Sequence, residues 1–160
     1  VCANDDNMHP TIVKYAEEFV QHQVHTIGRL DKDTTGILLL TNDGKLTHRL
    51  ISPKTATEKI YIVETDARIN PELITKFNEG FMINDDYMTL PAKLEIISER
   101  TAQVTLIEGK FHQVKRMFQT FGLNVINLHR ASFATITASD LAVGEYRRLT
   151  NEELVKIKNI

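Results

Sequence analysis

The stretch that decides how this chain folds is GRLDKDTTGILLLTNDG, residues 28–44. Gly28 and Gly36 bracket alternating charges and two threonines, and the apolar run at residues 37–41 predicts a buried strand. A carboxylate on a loop just before a core strand is rigidly positioned and open to a ligand. Asp31 is therefore the first candidate for a residue that carries chemistry.

The charges beside this carboxylate favour its ionised form. Arg29 and Lys32 flank Asp31, and an ionised carboxylate can act as a nucleophile or a base. The same pattern is also typical of a polar loop with surface ion pairs. A Walker loop is excluded, because the segment has no Gly-Lys-Ser/Thr and because Asp31 and Asp33 would repel a phosphate.

A second segment, EGKFHQVKRMF at residues 108–118, predicts an amphipathic helix with a basic face. Helical spacing places His112, Lys115 and Arg116 on adjoining positions. Either Lys115 or Arg116 could pair with a carboxylate elsewhere in the fold. The alternative is an ordinary surface helix with a solvated outer face.

Composition places the chain among globular proteins, since its 160 residues are 42% hydrophobic and 25% charged. One domain, or two small lobes that share a core, fits this length. The single cysteine, Cys2, forms no disulfide within the chain and favours a reducing, cytoplasmic location. Six histidines lack the spacing of metal ligands, so we expect no metal, and the apolar runs are too short to span a membrane.

The charge distribution is uneven along the chain. The formal net charge of −2 argues mildly against a nucleic-acid partner. Residues 61–108 hold nine acidic and four basic side chains, whereas residues 109–148 hold two acidic and six basic ones. A locally basic surface on a nearly neutral protein can still attract phosphates.

Hydrophobic periodicity predicts an α+β fold on a mostly antiparallel, mixed sheet with flanking helices, in two small lobes around a central cleft. The helix at 70–80 could separate these lobes. Helices are predicted over 10–22, 45–52, 70–80 and 112–122, and from the Thr150–Glu153 capping box onward. Strands are predicted at 37–41, 57–66, 94–98, 103–107, 125–128 and 133–137.

Taken together, the segments resemble a known family. GRLDKDTTGILLLTNDG is similar to the signature of the pseudouridine synthases that modify ribosomal RNA at a single uridine. THRLISP with EKIYIV, EGKFHQVKRMF with NLHR, and LAVGEYRRLTNEEL follow in collinear order over nearly the whole chain. The most similar branch is the RsuA-like enzymes of small-subunit 16S RNA, because large-subunit 23S relatives tend to carry an arginine where His112 stands.

The resemblance implies one catalytic domain over residues 1–160 that isomerises a uridine to its C-glycoside without cofactor or metal. It implies that Asp31 is the nucleophile and that Tyr61 stacks on the target uracil and assists proton removal. Lys115 is expected within salt-bridge distance of Asp31. Further substrate contacts are expected from Arg29, Lys32, Thr34, Thr35, His112, Gln113, Arg116, Leu128 and Arg130.

The expected partner is 16S ribosomal RNA, as a pre-30S particle, bound by a cytoplasmic monomer. The family usually carries an S4 RNA-binding domain and a strand with Asn-Lys-Pro before the position of Val1, so the chain is expected to be a fragment that binds RNA weakly. Phosphate contacts are expected from Lys110, Arg116, Arg130, Arg147 and Arg148.

Three rival functions stay open on the sequence. The first is a 23S pseudouridine synthase, and the second is a non-catalytic RNA-binding or ribosome-assembly module. The third is a carboxylate-dependent hydrolase such as a nucleosidase, for which Asp33 is the nearest second carboxylate. Asp33 is expected to point away from Asp31 if the loop is extended.

Overall fold

The computed structural model describes residues 2, 11, 12 and 22–160. The helix predicted over 10–22 therefore lies almost wholly outside the described residues. Over the described part of the chain, the helices are α1 (Gly44–Ile51), α2 (Glu72–Glu79), α3 (Gln113–Gln119) and α4 (Asn151–Lys158). The strands are β1 (His25–Ile27), β2 (Thr35–Gly36), β3 (Leu39–Thr41), β4 (Lys59–Thr65), β5 (Met82–Ile83), β6 (Tyr87–Met88), β7 (Lys93–Ile96), β8 (Thr101–Leu106), β9 (Val125–Phe133) and β10 (Ile136–Thr137).

A mixed sheet forms the centre of the molecule. Its antiparallel path runs β10-β9-β4-β8-β7, and β2 adds to β9 in parallel. Two further ribbons, β1 with β3 and β5 with β6, are antiparallel. The α+β class and the mostly antiparallel sheet are confirmed.

Most of the predicted helices are confirmed. They could be predicted because local sequence signals mark their ends. Asn70 Oδ1 accepts a hydrogen bond from the Glu72 amide at 3.0 Å, and Gly80, with φ 76°, follows α2. The predicted capping box is present: Thr150 and Glu153 each accept a hydrogen bond from the other's backbone amide. Ile74, an apolar residue of the helix predicted over 70–80, is exposed on α2 rather than packed inside.

The larger of two buried clusters packs α2 and α3 against the sheet. Val63, Phe77, Leu94, Met117 and Phe118 belong to this larger core and are almost inaccessible to solvent. The expectation that the helix at 70–80 separates two lobes is wrong, because Phe77 is one of the most buried side chains in the larger core.

The smaller core is assembled from parts of the chain that are far apart. Ile27, Leu39, Leu50, Phe133 and Ile157 are buried together. They come from β1, β3, α1, the end of β9 and α4. The smaller core therefore depends on long-range contacts.

Two strand predictions are corrected. The run at 37–41 is interrupted, since β2 ends at Gly36 and β3 begins at Leu39. Ile37 between them is bound through both backbone groups to Arg130, and its amide donates to the Arg130 carbonyl at 2.9 Å. In place of the strands predicted at 125–128 and 133–137, one nine-residue strand, β9, spans residues 125–133. The short strand β10 follows at residues 136–137.

None of the helices within the described residues is long and apolar enough to cross a membrane.

Candidate active site

A cleft of about 270 Å³ opens where the two cores meet. Leu106 and Leu128 of the larger core line it, as does Phe133 of the smaller core. Asp31, Tyr61 and His112 add polar groups to the same wall. This volume is close to the lower limit for small-molecule pockets. The cleft therefore suits a ligand the size of part of one nucleotide, such as its base, rather than a large cofactor.

Asp31 sits in a turn closed by the Thr34 amide, which donates to the Asp31 carbonyl at 3.0 Å. Strand β2 then anchors this loop to β9, with Gly36 opposite Arg130. Gly36 has φ 110°, and a Cβ there would lie 2.2 Å from the Arg130 carbonyl oxygen. Only glycine permits this approach, so Gly36 sets where the Asp31 carboxylate lies.

Tyr61 lies on β4 and lines the cleft. Strand β4 lies between β8 and β9 in the sheet and pairs with both. A register shift falls between Ile60 and Tyr61, because Ile60 faces Ser132 whereas Tyr61 faces Arg130. Such a bulge re-aims the neighbouring side chain. Arg130 is thus the common register point of Tyr61 and of the loop that carries Asp31.

The predicted ion pair between Asp31 and Lys115 is wrong. Lys115 Nζ instead lies 2.6 Å from Asp33 Oδ1, and its hydrogen bond lowers the pKa of Asp33. The group beside Asp31 is His112, whose Nε2 lies 3.4 Å from Asp31 Oδ1. The tight turn accounts for the exchange, since it directs the two carboxylates to different partners.

The hydrolase alternative requires a second carboxylate next to the first. Asp33 is 72% exposed and is not among the residues that line the cleft. Its partner Lys115 also lies outside, in a neighbouring polar cleft of about 230 Å³ that shares His112 with the first. The expectation that Asp33 points away from Asp31 agrees with this arrangement.

The other predicted substrate contacts divide into two groups. Lys32, Thr35 and Arg116 lie outside the cleft; Thr35 Oγ1 contacts His129 Nδ1 at 2.8 Å, and Arg116 pairs with Asp86 at 2.8 Å. The residues that do line the cleft are Arg29, Thr34, His112, Gln113, Leu128 and Arg130. Thr34 Oγ1 is buried and finds no hydrogen-bond partner within the described part of the chain.

Arg130 is oriented into the protein rather than outward. Its Nε and Nη2 donate to the Ile37 carbonyl at 2.9 and 2.8 Å, and Nη1 donates to the Arg29 carbonyl at 3.4 Å. Its guanidinium also lies over the Phe133 ring. Arg130 therefore holds the loop that carries Asp31 and is not the external phosphate contact that we expected.

Arg147, a second expected phosphate contact, is likewise engaged within the protein. It pairs with Asp140 at 2.9 Å and with Glu153 at 2.8 Å. The pairing of Arg116 with Asp86 adds a third case. Three of the five expected phosphate contacts are thus engaged within the protein, so the count of basic side chains overestimates the positive charge available to RNA.

Lys59 is a cleft residue that the sequence reasoning missed. Its ammonium donates to the Thr57 carbonyl at 2.9 Å and lies 5.7 Å from the centre of the Phe133 ring. Burial, followed by the nearby Arg130 charge, lowers the pKa of Lys59. The signal was available, because residues two apart on a strand share a face and Tyr61 was already a candidate.

A buried carboxylate, Glu108, braces the part of the cleft lining that bears His112. Glu108 accepts hydrogen bonds from the Tyr87 hydroxyl, the Gln113 side-chain amide and the Leu90 backbone amide. The bond to Glu108 raises the pKa of Tyr87 to about 12. Glu108 thereby ties the β5–β6 ribbon to the start of α3 and fixes the wall that bears His112.

The described residues contain no group of three or more His, Cys, Asp or Glu side chains that could hold a metal ion. The polar groups of the cleft are the Asp31 carboxylate near an imidazole, the Glu108 carboxylate engaged with Tyr87 and Gln113, the Tyr61 hydroxyl and several cations. This set can bind a planar ring, and the Asp31 carboxylate can act on an electron-poor carbon as a nucleophile or on a proton as a base.

A family described as RNA pseudouridylate synthase matches residues 1–120. The chain belongs to this family.

Curated relatives support the assignment over nearly the whole chain. "Ribosomal small subunit pseudouridine synthase A" of Yersinia pestis is 42% identical over 159 residues, which cover 98% of this chain and 68% of the relative. The protein of the same name from Vibrio cholerae is 44% identical, with 98% and 69% covered.

Solved structures agree with the fold. The chain matches a structure titled "Crystal structure of pseudouridylate synthase" with a TM-score of 0.92 and 40% identity, covering 98% of this chain and 68% of that one. A structure of an archaeal box H/ACA sRNP Nop10-Cbf5 complex matches with a TM-score of 0.56 at 14% identity, which bears on the fold alone.

Proposed function

We propose that this chain isomerises a uridine of small-subunit 16S ribosomal RNA to pseudouridine, with Asp31 as the nucleophile. The observation that carries the proposal is the meeting of Asp31 and Tyr61 in one cleft, where both are registered on Arg130 of β9. The names of the curated relatives support small-subunit RNA as the substrate. Large-subunit 23S RNA is the alternative that the experiment below separates.

The reaction breaks the bond between N1 of uracil and C1′ of ribose and forms a bond between C5 and C1′. The C5 proton leaves to solvent and N1 gains a proton, so substrate and product have the same composition. The Asp31 carboxylate attacks ribose C1′ or uracil C6, or stabilises an elimination. In each case the carboxylate acts in its ionised form, and His112 Nε2 lies 3.4 Å from its Oδ1.

Reaching the glycosidic bond requires the uridine to leave its stack, which costs a few kcal/mol. Stacking on an aromatic side chain is worth about 1–3 kcal/mol per base, and Tyr61 is an aromatic group of the cleft lining that can supply it.

Cations complete the substrate site. Lys59 and Arg29 line the cleft and suit the phosphate or carbonyl oxygens of the nucleotide. Lys115 acts on the loop from outside, because its ion pair with Asp33 restrains the turn that carries Asp31. We assign Lys115 a positioning role.

The test is tritium release from RNA that carries 5-tritiated uridine. Transcripts of small-subunit and large-subunit ribosomal RNA, bare or bound to ribosomal proteins, are incubated with the protein, and free tritium and free uracil are measured separately. We expect tritium in water without free uracil from small-subunit RNA. Release of uracil would identify a hydrolase, binding without either product would identify a non-catalytic module, and release from large-subunit RNA alone would overturn the substrate assignment.

A further inference from the structure

Phe111 is an aromatic side chain that the proposed reaction does not use. Phe111 is 76% exposed, and its sequence neighbours Lys110 and His112 both line the active-site cleft. One face of the ring is covered by the His112 imidazole, with ring centroids 3.8 Å apart and planes 17° apart. The structure thus presents a flat apolar face to solvent, directly outside the imidazole that contacts Asp31.

The backbone holds this aromatic pair in place. His112 has the left-handed conformation, φ 47° and ψ 34°, which is unfavourable for a non-glycine residue and is often retained for function. The Gln113 amide donates to the Lys110 carbonyl at 3.1 Å, and Arg116 Nη1 donates to the Phe111 carbonyl at 3.4 Å. Phe111 is therefore on a braced turn, so little ordering is needed when a ligand binds.

The surroundings of Phe111 point to a nucleic acid rather than to an apolar partner. Lys110 precedes it and, like Arg29 and Lys59, lines the active-site cleft. In the adjacent polar cleft, Lys115 and Arg116 are already paired with Asp33 and Asp86, so Lys110 is the cation next to the ring that is available to a phosphate. Cations interleaved with an exposed aromatic ring are typical of surfaces that follow a single strand, since phosphates meet the charges and bases meet the ring.

We propose that the free face of Phe111 stacks on the nucleobase that neighbours the target uridine in the RNA. The inference rests on the proposed function, because extruding one nucleotide leaves its neighbour with an uncovered face. With His112 forming part of both clefts, the target nucleotide lies on the Asp31 side and its neighbour lies outside. Phe111 replaces the lost stacking partner without reading the identity of the base.

The first experiment measures the Kd of labelled small-subunit ribosomal RNA by fluorescence anisotropy. Phe111→Ala and Phe111→Leu are compared with Phe111→Tyr, which keeps a stacking ring. Ile97→Ala is the matched control, since Ile97 is also exposed and lies at the turn of the β7–β8 hairpin, at the other end of β8 from the cleft residue Leu106. We expect Ala and Leu to weaken Kd by between about fivefold and a hundredfold, with Tyr and the control near the parent value.

The second experiment removes the base instead of the ring. An abasic nucleotide is placed on either side of the uridine that tritium release identifies. We expect one of the two positions to weaken binding by the parent protein as much as Phe111→Ala does, and to cause no further loss in that variant. Circular dichroism verifies that each variant is folded.

The outcomes separate this proposal from the proposed function. A Phe111→Ala variant with the Kd of the Ile97→Ala control overturns the stacking proposal, even if tritium release proceeds. A Phe111-dependent loss that persists at both abasic positions also overturns it. Phe111-dependent binding without tritium release refutes the proposed function, and the stacking on a base beside a target uridine falls with it, leaving only contact between Phe111 and RNA.

Discussion

The two cores of this molecule are built differently, and the active site uses both. The larger core packs α2 and α3 on neighbouring antiparallel strands, so many of its contacts follow from hairpins and adjacent elements. The smaller core joins β1, β3, α1, the end of β9 and α4, which lie more than 100 residues apart at the extremes, Ile27 and Ile157. Asp31, the proposed nucleophile, lies on a loop of the smaller core, and Tyr61, proposed to stack on the uracil, lies on a strand of the larger one.

This difference teaches where the site is vulnerable. Strand β9 runs through both cores, with Leu128 in the larger and Phe133 in the smaller. The distance between Asp31 and Tyr61 depends on how the loop of the smaller core docks on this strand. The pairing of Gly36 with Arg130 joins the loop to the strand, so substitutions at this pairing and substitutions within one core should have different effects on activity and stability.

The largest effect is expected from Gly36→Ala. The new Cβ would clash with the Arg130 carbonyl and would require a φ that alanine rarely adopts, so we expect a loss of at least about 3 kcal/mol of stability and near-complete loss of tritium release. Urea unfolding and tritium release measure the two effects. Gly144→Ala is the control, since Gly144 also has a positive φ but has no atom near its Cβ position, and it should cost only about 1 kcal/mol. Equal costs at both sites would contradict the docking argument.

A smaller effect, confined to the smaller core, is expected from Glu153→Gln. Arg147, followed by the Thr150 amide, lowers the pKa of Glu153 to about 2 from its ordinary 4.5. A lowered pKa in the folded state stabilises the fold above pH 4.5, and this stability is lost as the pH falls toward 2. We expect the substitution to cost about 1 kcal/mol at pH 7 and distinctly less near pH 3.

Urea unfolding at both pH values measures this effect. The neighbouring Glu152→Gln is the control, because within the described part of the chain the cap hydrogen bond and the ion pair belong to Glu153 and Glu152 makes neither. An identical cost at pH 7 and pH 3 would show that the ion pair does not contribute.

The smallest effect on stability is expected from Lys59→Met, at the boundary of the two cores. Because burial lowers the pKa of Lys59, its charge opposes folding at neutral pH, and stability rises as the pH increases through the folded-state pKa. The substitution removes this penalty and one hydrogen bond, so we expect a change within about 1 kcal/mol together with at least a tenfold loss of kcat/KM.

Lys93→Met is the control for the loss of a lysine. Lys93 is exposed on the edge strand β7, and it forms an ion pair with Glu95 two residues along the same strand. Retention of full activity by Lys59→Met would remove Lys59 from the substrate site.

Local sequence signals predicted much of this fold. The Asn70 cap, the Thr150 capping box and the hairpin around residues 97–100 each depend on residues close in sequence, and each is present. The parallel pairing of β2 with β9 was not predicted, because it joins Thr35 to His129 without any periodic signal. Likewise β9 continues through residues 129–132, where no run of apolar residues marks it as a strand.

The candidate site shows the same division. Asp31 and Tyr61 were identified from motifs that resemble a family, and the cleft contains both. The partner of Lys115 was misassigned because Asp31 and Asp33 are two residues apart on one turn, and only the three-dimensional course of the turn decides which carboxylate faces the helix. Lys59 could have been found from the two-residue period of its strand.

The most direct test of the account compares Asp31→Asn with Asp33→Asn in the tritium-release assay. The two substitutions are chemically identical and lie on the same turn, but only Asp31 lines the cleft. We predict that Asp31→Asn lowers kcat at least about a thousandfold while the protein stays folded, because asparagine cannot act as a charged nucleophile. Asp33→Asn should keep activity within about tenfold, since it removes only an exposed ion pair with Lys115. Comparable activity in the two variants, or a greater loss in Asp33→Asn, would contradict the assignment of Asp31 as the nucleophile.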